Sequence, residues 1–331
     1  MRLPTFRPQP GITRRVVISL AVAVSAFAAP QLSHAASSST VPSGDVAFDS
    51  NRTGNYEIYT MTAGGADQTE LTKDTRYDSW WPRISPDRSE ILFYRTPAGV
   101  HDRDFSKTSL WLMNADGSDL HELIPTGAHG WTQQGHAVWS PDGTHIVMFA
   151  KVGSNTNIWT TKADGSDPVQ LTNRPGTSLD PSYTASGGIV FIGCPLSVCS
   201  SSQFEVYDMT ASGSNVTRLT NDAARDQDPF GSPNGASIDW LRQTAAGTWA
   251  IWTMTSTGGN QHGVVPNLTI NSKPAWSADG SWIYFHRLAT GQTSFTIWKV
   301  HPDGTDLTAV SQSSKVGPSP YADEYPDASE F

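Results

Sequence analysis

Short apolar segments alternate with turn residues along most of the chain, and the same pattern returns at intervals of 52, 48, 48, 45 and 46 residues. In each copy an aromatic residue in an apolar run precedes a glycine by six positions. Glycine suits a tight hairpin turn because it adopts positive φ without a steric penalty. The six pairs are Tyr59/Gly65, Trp111/Gly117, Trp159/Gly165, Tyr207/Gly213, Trp252/Gly258 and Trp298/Gly304. A period of this length indicates one supersecondary unit repeated six times.

A second hairpin, marked by proline and Asp-Gly, alternates with the first. It is clearest as AVWSPDGTHIVMF over residues 137–149. Two hairpins per period supply four short strands, which make one propeller blade. No segment beyond the N-terminus shows a helical period. The sequence therefore predicts an all-β fold, a six-bladed β-propeller of four-stranded antiparallel blades over residues 46–331.

The two ends of this domain complement each other. The chain ends with YPDAS at residues 325–329, which resembles the start of an innermost strand, whereas the first blade begins at Val46 without one. We expect the C-terminal strand to join the N-terminal blade. This closure would remove two exposed sheet edges, which otherwise promote aggregation.

The first 35 residues have the pattern of a signal peptide. Arg14 and Arg15 precede an apolar run over 16–29, and a small-x-small cleavage pattern ends at Ala35. The run is too short to span a membrane. We therefore predict export, to a secreted or periplasmic location, followed by a linker over 36–45. The Sec and twin-arginine routes both remain open.

The charge balance limits the class of partner. Residues 1–35 hold four of the 22 basic residues and none of the 31 acidic ones, so the remaining chain carries a formal charge of −13. Such a charge argues against nucleic acid or an anionic membrane as the main partner. We expect a monomer without a transmembrane anchor.

Two cysteines, Cys194 and Cys199, lie close together in one loop. In an exported protein this spacing favours a local disulfide that pins the loop. A redox or metal-binding role is the alternative, although no other cysteine or nearby histidine completes a site.

The repeat resembles that of TolB-type propellers. The resemblance is carried by FDSNRTGNYEIY over 48–59, WSPDG over 139–143 and ADG over 163–165. It implies a periplasmic protein that binds partner proteins at the propeller channel. TolB proteins also carry an α/β domain before the propeller, and the short linker predicts a propeller without that domain. Similar repeats occur in prolyl-oligopeptidase-like peptidases, which need a separate hydrolase domain.

The position just before the repeat proline varies most between copies, and it enters the innermost strand, beside the channel mouth. Function on repeat scaffolds concentrates where the repeat varies. The residues at this position are Trp81, His136, Asp180, Asp228, Lys273 and Tyr325. Trp80, Trp131, Arg95 and Arg287 are further ligand-binding candidates. Converging aromatic and charged groups indicate a pocket. The alternative is that each polar residue only fills a wet channel and pairs with its neighbours.

Two long loops are expected at the same face, over residues 96–108 and 194–203. The repeated aromatic residues, in contrast, are predicted to pack between the sheets as core.

Three functions fit these patterns. The first is a non-enzymatic module that binds a protein, a peptide or a small polar ligand at the channel mouth. The second is a hydrolase or lyase with His136, Asp180, Asp228 and Lys273 as acid/base groups, although neither G-x-S-x-G nor H-E-x-x-H is present. The third is a scaffold component of an envelope complex.

No cofactor is expected under the first hypothesis. A divalent cation such as calcium, held by the carboxylates of Asp180 and Asp228, is the alternative.

Overall fold

Six four-stranded antiparallel sheets form the blades of a β-propeller, which confirms the predicted fold class. The computed structural model describes residues 45–194, 204–265, 270–311 and 321–328. The predicted signal peptide, most of the linker, Cys199 and nearly all of the predicted loop over 194–203 lie outside these ranges. Within them, no helix is long and apolar enough to cross a membrane.

The strands follow the chain blade by blade, from the innermost to the outermost. Blade 1 contains β24 (Asp323–Asp327), β1 (Val46–Ser50), β2 (Glu57–Met61) and β3 (Thr69–Glu70); blade 2 contains β4 (Tyr77–Ile84), β5 (Glu90–Pro97), β6 (Ser109–Asn114) and β7 (His121–Ile124); blade 3 contains β8 (Gln133–Trp139), β9 (His145–Val152), β10 (Asn155–Lys162) and β11 (Val169–Gln170).

The second half repeats this order. Blade 4 contains β12 (Ser178–Tyr183), β13 (Ile189–Gly193), β14 (Glu205–Met209) and β15 (Thr217–Arg218); blade 5 contains β16 (Asp226–Gly231), β17 (Ser237–Gln243), β18 (Trp249–Thr255) and β19 (His262–Gly263); blade 6 contains β20 (Ile270–Trp276), β21 (Ile283–Leu288), β22 (Thr296–Val300) and β23 (Thr308–Ala309). Short 3₁₀ turns occupy His101–Arg103, Phe105–Lys107 and Ala128–Gly130.

The C-terminal strand closes the ring as expected. β24 pairs antiparallel with β1, with Asp49 opposite Glu324 and Ala47 opposite Asp327. The innermost strand of blade 1 thus comes from the opposite end of the chain.

The proline hairpin turns owe their shape to side-chain hydrogen bonds. In blade 3, Ser140 Oγ donates to Asp142 Oδ1 over 2.6 Å, and the same oxygen accepts from the backbone N–H of Thr144 over 3.0 Å. Gly143 follows with φ of 69°, a conformation that glycine adopts readily. Equivalent Ser–Asp or Ser–Asn bonds recur in three other blades, at Ser85/Asp87, Ser232/Asn234 and Ser277/Asp279.

The repeated aromatic residues differ in how deeply they pack into the core. Tyr59 and Tyr207 are buried, but the four tryptophans at this position are half-buried. In five blades an arginine lies over the ring, at 4.0 to 4.9 Å from its centre, a distance typical of a cation–π contact. The pairs are Arg52/Tyr59, Arg95/Trp111, Arg174/Tyr207, Arg242/Trp252 and Arg287/Trp298. In blade 3, Trp131 packs edge-on against Trp159 instead, with ring centres 5.4 Å apart.

Candidate functional site

Six residues at the channel mouth share an unusual backbone conformation, a positive φ of 47° to 57°. Each stands at the position before the repeat proline. From blade 2 to blade 6 and then blade 1, they are Trp81 (57°), His136 (53°), Asp180 (47°), Asp228 (47°), Lys273 (53°) and Tyr325 (48°). Residues other than glycine rarely adopt this left-handed region because Cβ crowds the backbone. We call these six residues the mouth ring.

Each mouth-ring residue lies in a β-bulge, where the register between the innermost strand and the next strand shifts. A bulge interrupts the alternation of side chains and re-aims one of them. In five of the six copies the next residue is proline, which has no N–H to donate and is tolerated at a bulge. The sequence pattern located these positions, but it did not indicate the left-handed conformation.

Four members of the mouth ring form one chain of polar contacts. His136 Nδ1 contacts Asp180 Oδ1 and lies 3.7 Å from Asp228 Oδ1. Lys273 Nζ donates a hydrogen bond of 2.8 Å to Asp228 Oδ1. The side chains of His136, Asp180 and Asp228 are all buried. The structure therefore brings these four sequence-predicted residues together.

The two aromatic members complete the ring. The Trp81 ring stacks on His136 with centres 4.3 Å apart and an interplanar angle of 10°. Lys273 Nζ lies 4.9 Å from the centre of the Trp81 ring and 5.8 Å from that of Tyr325. The ammonium is thus held by one carboxylate and two aromatic faces.

The two carboxyl groups of the ring differ in acidity. Burial alone would raise the pKa of Asp180, but the adjacent His136 and Lys273 lower it. Burial raises the pKa of Asp228, and the charge of Asp180 adds to this effect, although Lys273 opposes it. Neighbouring carboxyl groups whose pKa values are pushed apart are a recurrent feature of acid–base sites.

His136, Asp180 and Asp228 place one nitrogen and two oxygen ligand atoms within 4.8 Å of one another, close enough to share a metal ion. However, the ammonium of Lys273 already contacts Asp228. In this arrangement Lys273 supplies the positive charge that a metal would bring. A divalent cation would require Lys273 to move away, so metal binding by Asp180 and Asp228 stays a prediction.

A cavity of about 370 Å³ opens over the mouth ring. His136, Asp180, Lys273 and Tyr325 contribute to its wall. The remaining lining includes polar residues at the starts of innermost strands and apolar residues, namely Gln133, Thr177, Leu179, Gln227, Phe149 and Phe105. Two larger hollows, of about 560 and 480 Å³, lie among the hairpin turns of blades 3 to 5; the first is lined in part by Asp208 and Met209, and the second by Asp142, His145 and Tyr183. The cavity over the ring is the better site candidate, because four mouth-ring residues and Asp102 converge there.

The long loop after β5 forms part of the wall, through Asp102 and Phe105. His101 anchors this loop: its Nε2 lies 3.1 Å from Asp49 Oδ2, and its Nδ1 lies 3.3 Å from Asp102 Oδ1. The ring of His101 also stacks on Tyr56, with centres 3.7 Å apart. The hydroxyl of Tyr325 donates to the second oxygen of Asp102. Asp49, which the sequence pattern did not single out, is thus a supporting residue of the pocket.

These contacts shift the acidity of the anchor. Burial alone would lower the pKa of His101, but its bonds to Asp102 and Asp49 raise it to about 10. Burial opposes the shift of Asp102, yet the His101 imidazolium holds the pKa of that carboxyl well below its usual range. Asp102 is therefore ionised across the physiological pH range.

The other four candidates are not among the residues that line the cavity. Trp80 is fully buried and packs against Tyr94, and its ring centre also lies 5.8 Å from that of Phe105 and 6.1 Å from that of Tyr325, two residues of the cavity wall. Trp131, Arg95 and Arg287 each contact the aromatic residue on the third strand of their blade. These contacts indicate that Trp131, Arg95 and Arg287 pack against the aromatic residues of the repeat.

Comparison with known proteins supports the fold. No protein-family model matches the chain. An uncharacterized protein, Atu1656 of Agrobacterium fabrum, is 31% identical over 103 residues, which are 30% of this chain and 34% of that protein. The Tol-Pal system protein TolB of Anaeromyxobacter dehalogenans is 29% identical over 130 residues, which are 39% of this chain and 27% of that protein. The matches thus span about a third or less of the length of these curated relatives.

A solved structure agrees over a larger part of the chain. TolB from Acinetobacter baumannii superimposes with a TM-score of 0.68 at 15% identity, covering 85% of this chain and 65% of that one. The fold and the mouth ring define a six-bladed propeller with a charged channel mouth. The chain is a TolB-like propeller.

Proposed function

We propose that this chain is an exported, non-enzymatic binding module that takes a protein, a peptide or a small polar ligand into the pocket over the mouth ring. The observation that carries this proposal is the set of six left-handed residues that direct charged and aromatic side chains to one place. The TolB likeness supports a partner in the cell envelope, because one relative is named as a Tol-Pal system protein. A scaffold role in an envelope complex would use the same face.

The mouth ring contains features that cost folding free energy, which favours a role in binding over a role in packing alone. Burying ion pairs costs desolvation energy that well-packed apolar residues would not incur, and left-handed residues add backbone strain. Both features recur at functional sites. Here they coincide beside an open cavity.

A blocking substitution tests this proposal. Gln227 lies in the cavity wall, so Gln227→Trp should fill the space. Gln170→Trp, on the exposed strand β11, is the matched control. A library of peptides and small polar molecules would be screened by thermal shift against the native protein and both variants. We expect ligands of the native protein to bind the control and to lose binding to Gln227→Trp; binders that all persist in Gln227→Trp would contradict the placement.

The divergent acidities of Asp180 and Asp228 favour a second candidate, a hydrolase or lyase in which His136 exchanges protons with substrate. An activity screen with and without chelator would detect it. His136→Gln should then abolish a genuine activity, and wild-type turnover in that variant would remove His136 from the mechanism.

A further inference from the structure

We propose that the ligand of this pocket is an organic cation: a primary ammonium or guanidinium group on an apolar stem, as in a basic peptide side chain or a linear amine. This inference rests on the proposed binding function and specifies the chemistry of the ligand. It follows from the rings that line the cavity, from the position of Asp102 and from the way that the pocket holds Lys273.

Three aromatic residues and the imidazole of His136 line part of the cavity, a composition that suits a cation. Phe105, Phe149 and His136 meet edge to face, with ring centres 5.2 to 5.7 Å apart. Tyr325 contributes to the same wall. Aromatic faces attract ammonium and guanidinium groups, and they also pack against an apolar stem. The lining therefore matches both parts of such a ligand.

The most accessible charge in the cavity is negative. The side chain of Asp102 is 41% exposed, whereas that of Asp180 is 8% and that of Asp228 is 1% exposed. Asp102 is held in place by His101 on one oxygen and by Tyr325 on the other. The imidazolium of His101 that pairs with Asp102 is itself buried, with 7% of its side chain exposed, so the carboxylate is the more accessible charge of the pair. An entering cation would meet Asp102 first.

The pocket already stabilises one ammonium of its own. Lys273 is paired with Asp228 and lies over the rings of Trp81 and Tyr325. Mouth-ring residues beside the cavity thus stabilise an ammonium whose side chain is only 15% exposed. The pairing with Asp228 also neutralises the charge of Lys273, which would otherwise repel a cationic ligand.

Calorimetry with defined probes tests the inference. Agmatine and 1,5-diaminopentane represent free cations, and acetyl-Gly-Arg-Gly amide represents a basic peptide. Butyrate, butanol and acetyl-Gly-Glu-Gly amide are the anionic and neutral comparisons, and calcium chloride is the metal comparison. We expect at least one cationic probe to bind roughly tenfold or more tightly than its comparisons. Binding of the peptide alone, or of the free amines alone, would identify the source of the cation.

Two substitutions on the same loop provide a matched pair. Asp102→Asn should weaken binding of the cationic probe about tenfold, because it removes a charge-assisted contact. Asp104→Asn removes a carboxylate that bonds only to Ser106 and Lys107 among the contacts described, so it should leave binding unchanged. Because Asp102→Asn also alters the loop anchor, Phe105→Leu provides a second variant, which removes a ring and keeps an apolar side chain. Circular dichroism and melting would verify that each variant is folded.

The outcomes separate this inference from the proposed function. If neutral or anionic ligands bind as well as the cations and Gln227→Trp blocks them, the pocket binds ligands but the inference about cations is wrong. If calcium binds and the organic cations do not, the inference is also wrong. Loss of cation binding in both Asp102→Asn and Phe105→Leu, with retention in Asp104→Asn, would support it.

Discussion

The carboxylate of Asp327 accepts a hydrogen bond of 2.7 Å from the backbone N–H of Ile84, a residue 243 positions earlier in the chain. The other oxygen of Asp327 lies 3.3 Å from Arg83 Nη1, and both side chains are buried. The guanidinium of Arg83 also lies over the rings of Trp81 and Phe230. The C-terminal strand is thus fastened to blade 2 as well as to its own blade, which joins the closure of the ring to the mouth ring.

Removing this fastening should destabilise the whole propeller. Asp327→Ala leaves the buried guanidinium of Arg83 without its carboxylate, and breaking a buried pair in this way costs about 3 to 5 kcal/mol. Urea unfolding would measure the loss. Glu122→Ala, at an exposed position on β7, is the control and should change stability by less than about 0.5 kcal/mol. Equal effects in the two variants would mean that the contact contributes little.

The contacts of His101 should make the free energy of unfolding fall as the pH rises above neutrality. The pKa of His101 is about 10 in the folded protein, against an ordinary value of 6.5. Between these values the folded state keeps a proton that the unfolded state has lost. The stabilisation is therefore complete below about pH 6.5 and is lost toward pH 10, with a slope of up to ~1.4 kcal/mol per pH unit.

Urea unfolding at about pH 7.5 and about pH 9.5 would reveal this slope. His101→Gln, which does not titrate, should show a much flatter dependence. Glu324 and His286 also have shifted pKa values, at about 7 and about 3, so their titration largely lies below this window. An equally steep fall in the variant would assign the slope to other groups.

At mouth-ring positions, the left-handed backbone should make a glycine variant more stable than an alanine variant, the reverse of the usual order in strands. In a strand, glycine is ordinarily less stable than alanine by roughly 0.5 to 1 kcal/mol. At Lys273, where φ is 53°, Lys273→Gly should instead be more stable than Lys273→Ala by about 1 kcal/mol. The matched pair Lys299→Gly and Lys299→Ala, on the regular strand β22, should keep the usual order. Thermal unfolding of the four variants measures both differences.

Removal of the Lys273 ammonium should also allow the mouth ring to bind a metal ion. In Lys273→Ala, the donor atoms of His136, Asp180 and Asp228 lose the cation that lies beside them. We expect manganese or calcium to bind this variant at least about tenfold more tightly than the native protein, because like-charge repulsion is removed. Calorimetry measures the affinities, and Lys299→Ala is the control. Equal affinities would show that Lys273 does not compete with a metal.

The sequence alone was sufficient to determine the number of blades, their four strands and the closure by the C-terminus. These features follow from local patterns, since turn glycines, the Ser–Pro–Asp turn and apolar runs specify backbone shape over a few residues. The mouth-ring positions were also recognisable, because each differs in an otherwise regular repeat. The linear pattern could not show that His136 would contact Asp180, or that Lys273 would pair with Asp228.

Only the tertiary structure decided those partners. His136 and Asp180 belong to neighbouring blades, and Asp49 and His101 come from a strand and a loop of different blades; ring closure brings them within contact distance. The bulges that give each mouth-ring residue its left-handed φ arise from pairing between strands. The same limit applies to Arg95 and Arg287, whose aromatic partners lie on the third strand of the blade. Local sequence determines backbone preference, whereas the assembled ring sets side-chain partners and their charges, because these depend on distances between segments far apart in the chain.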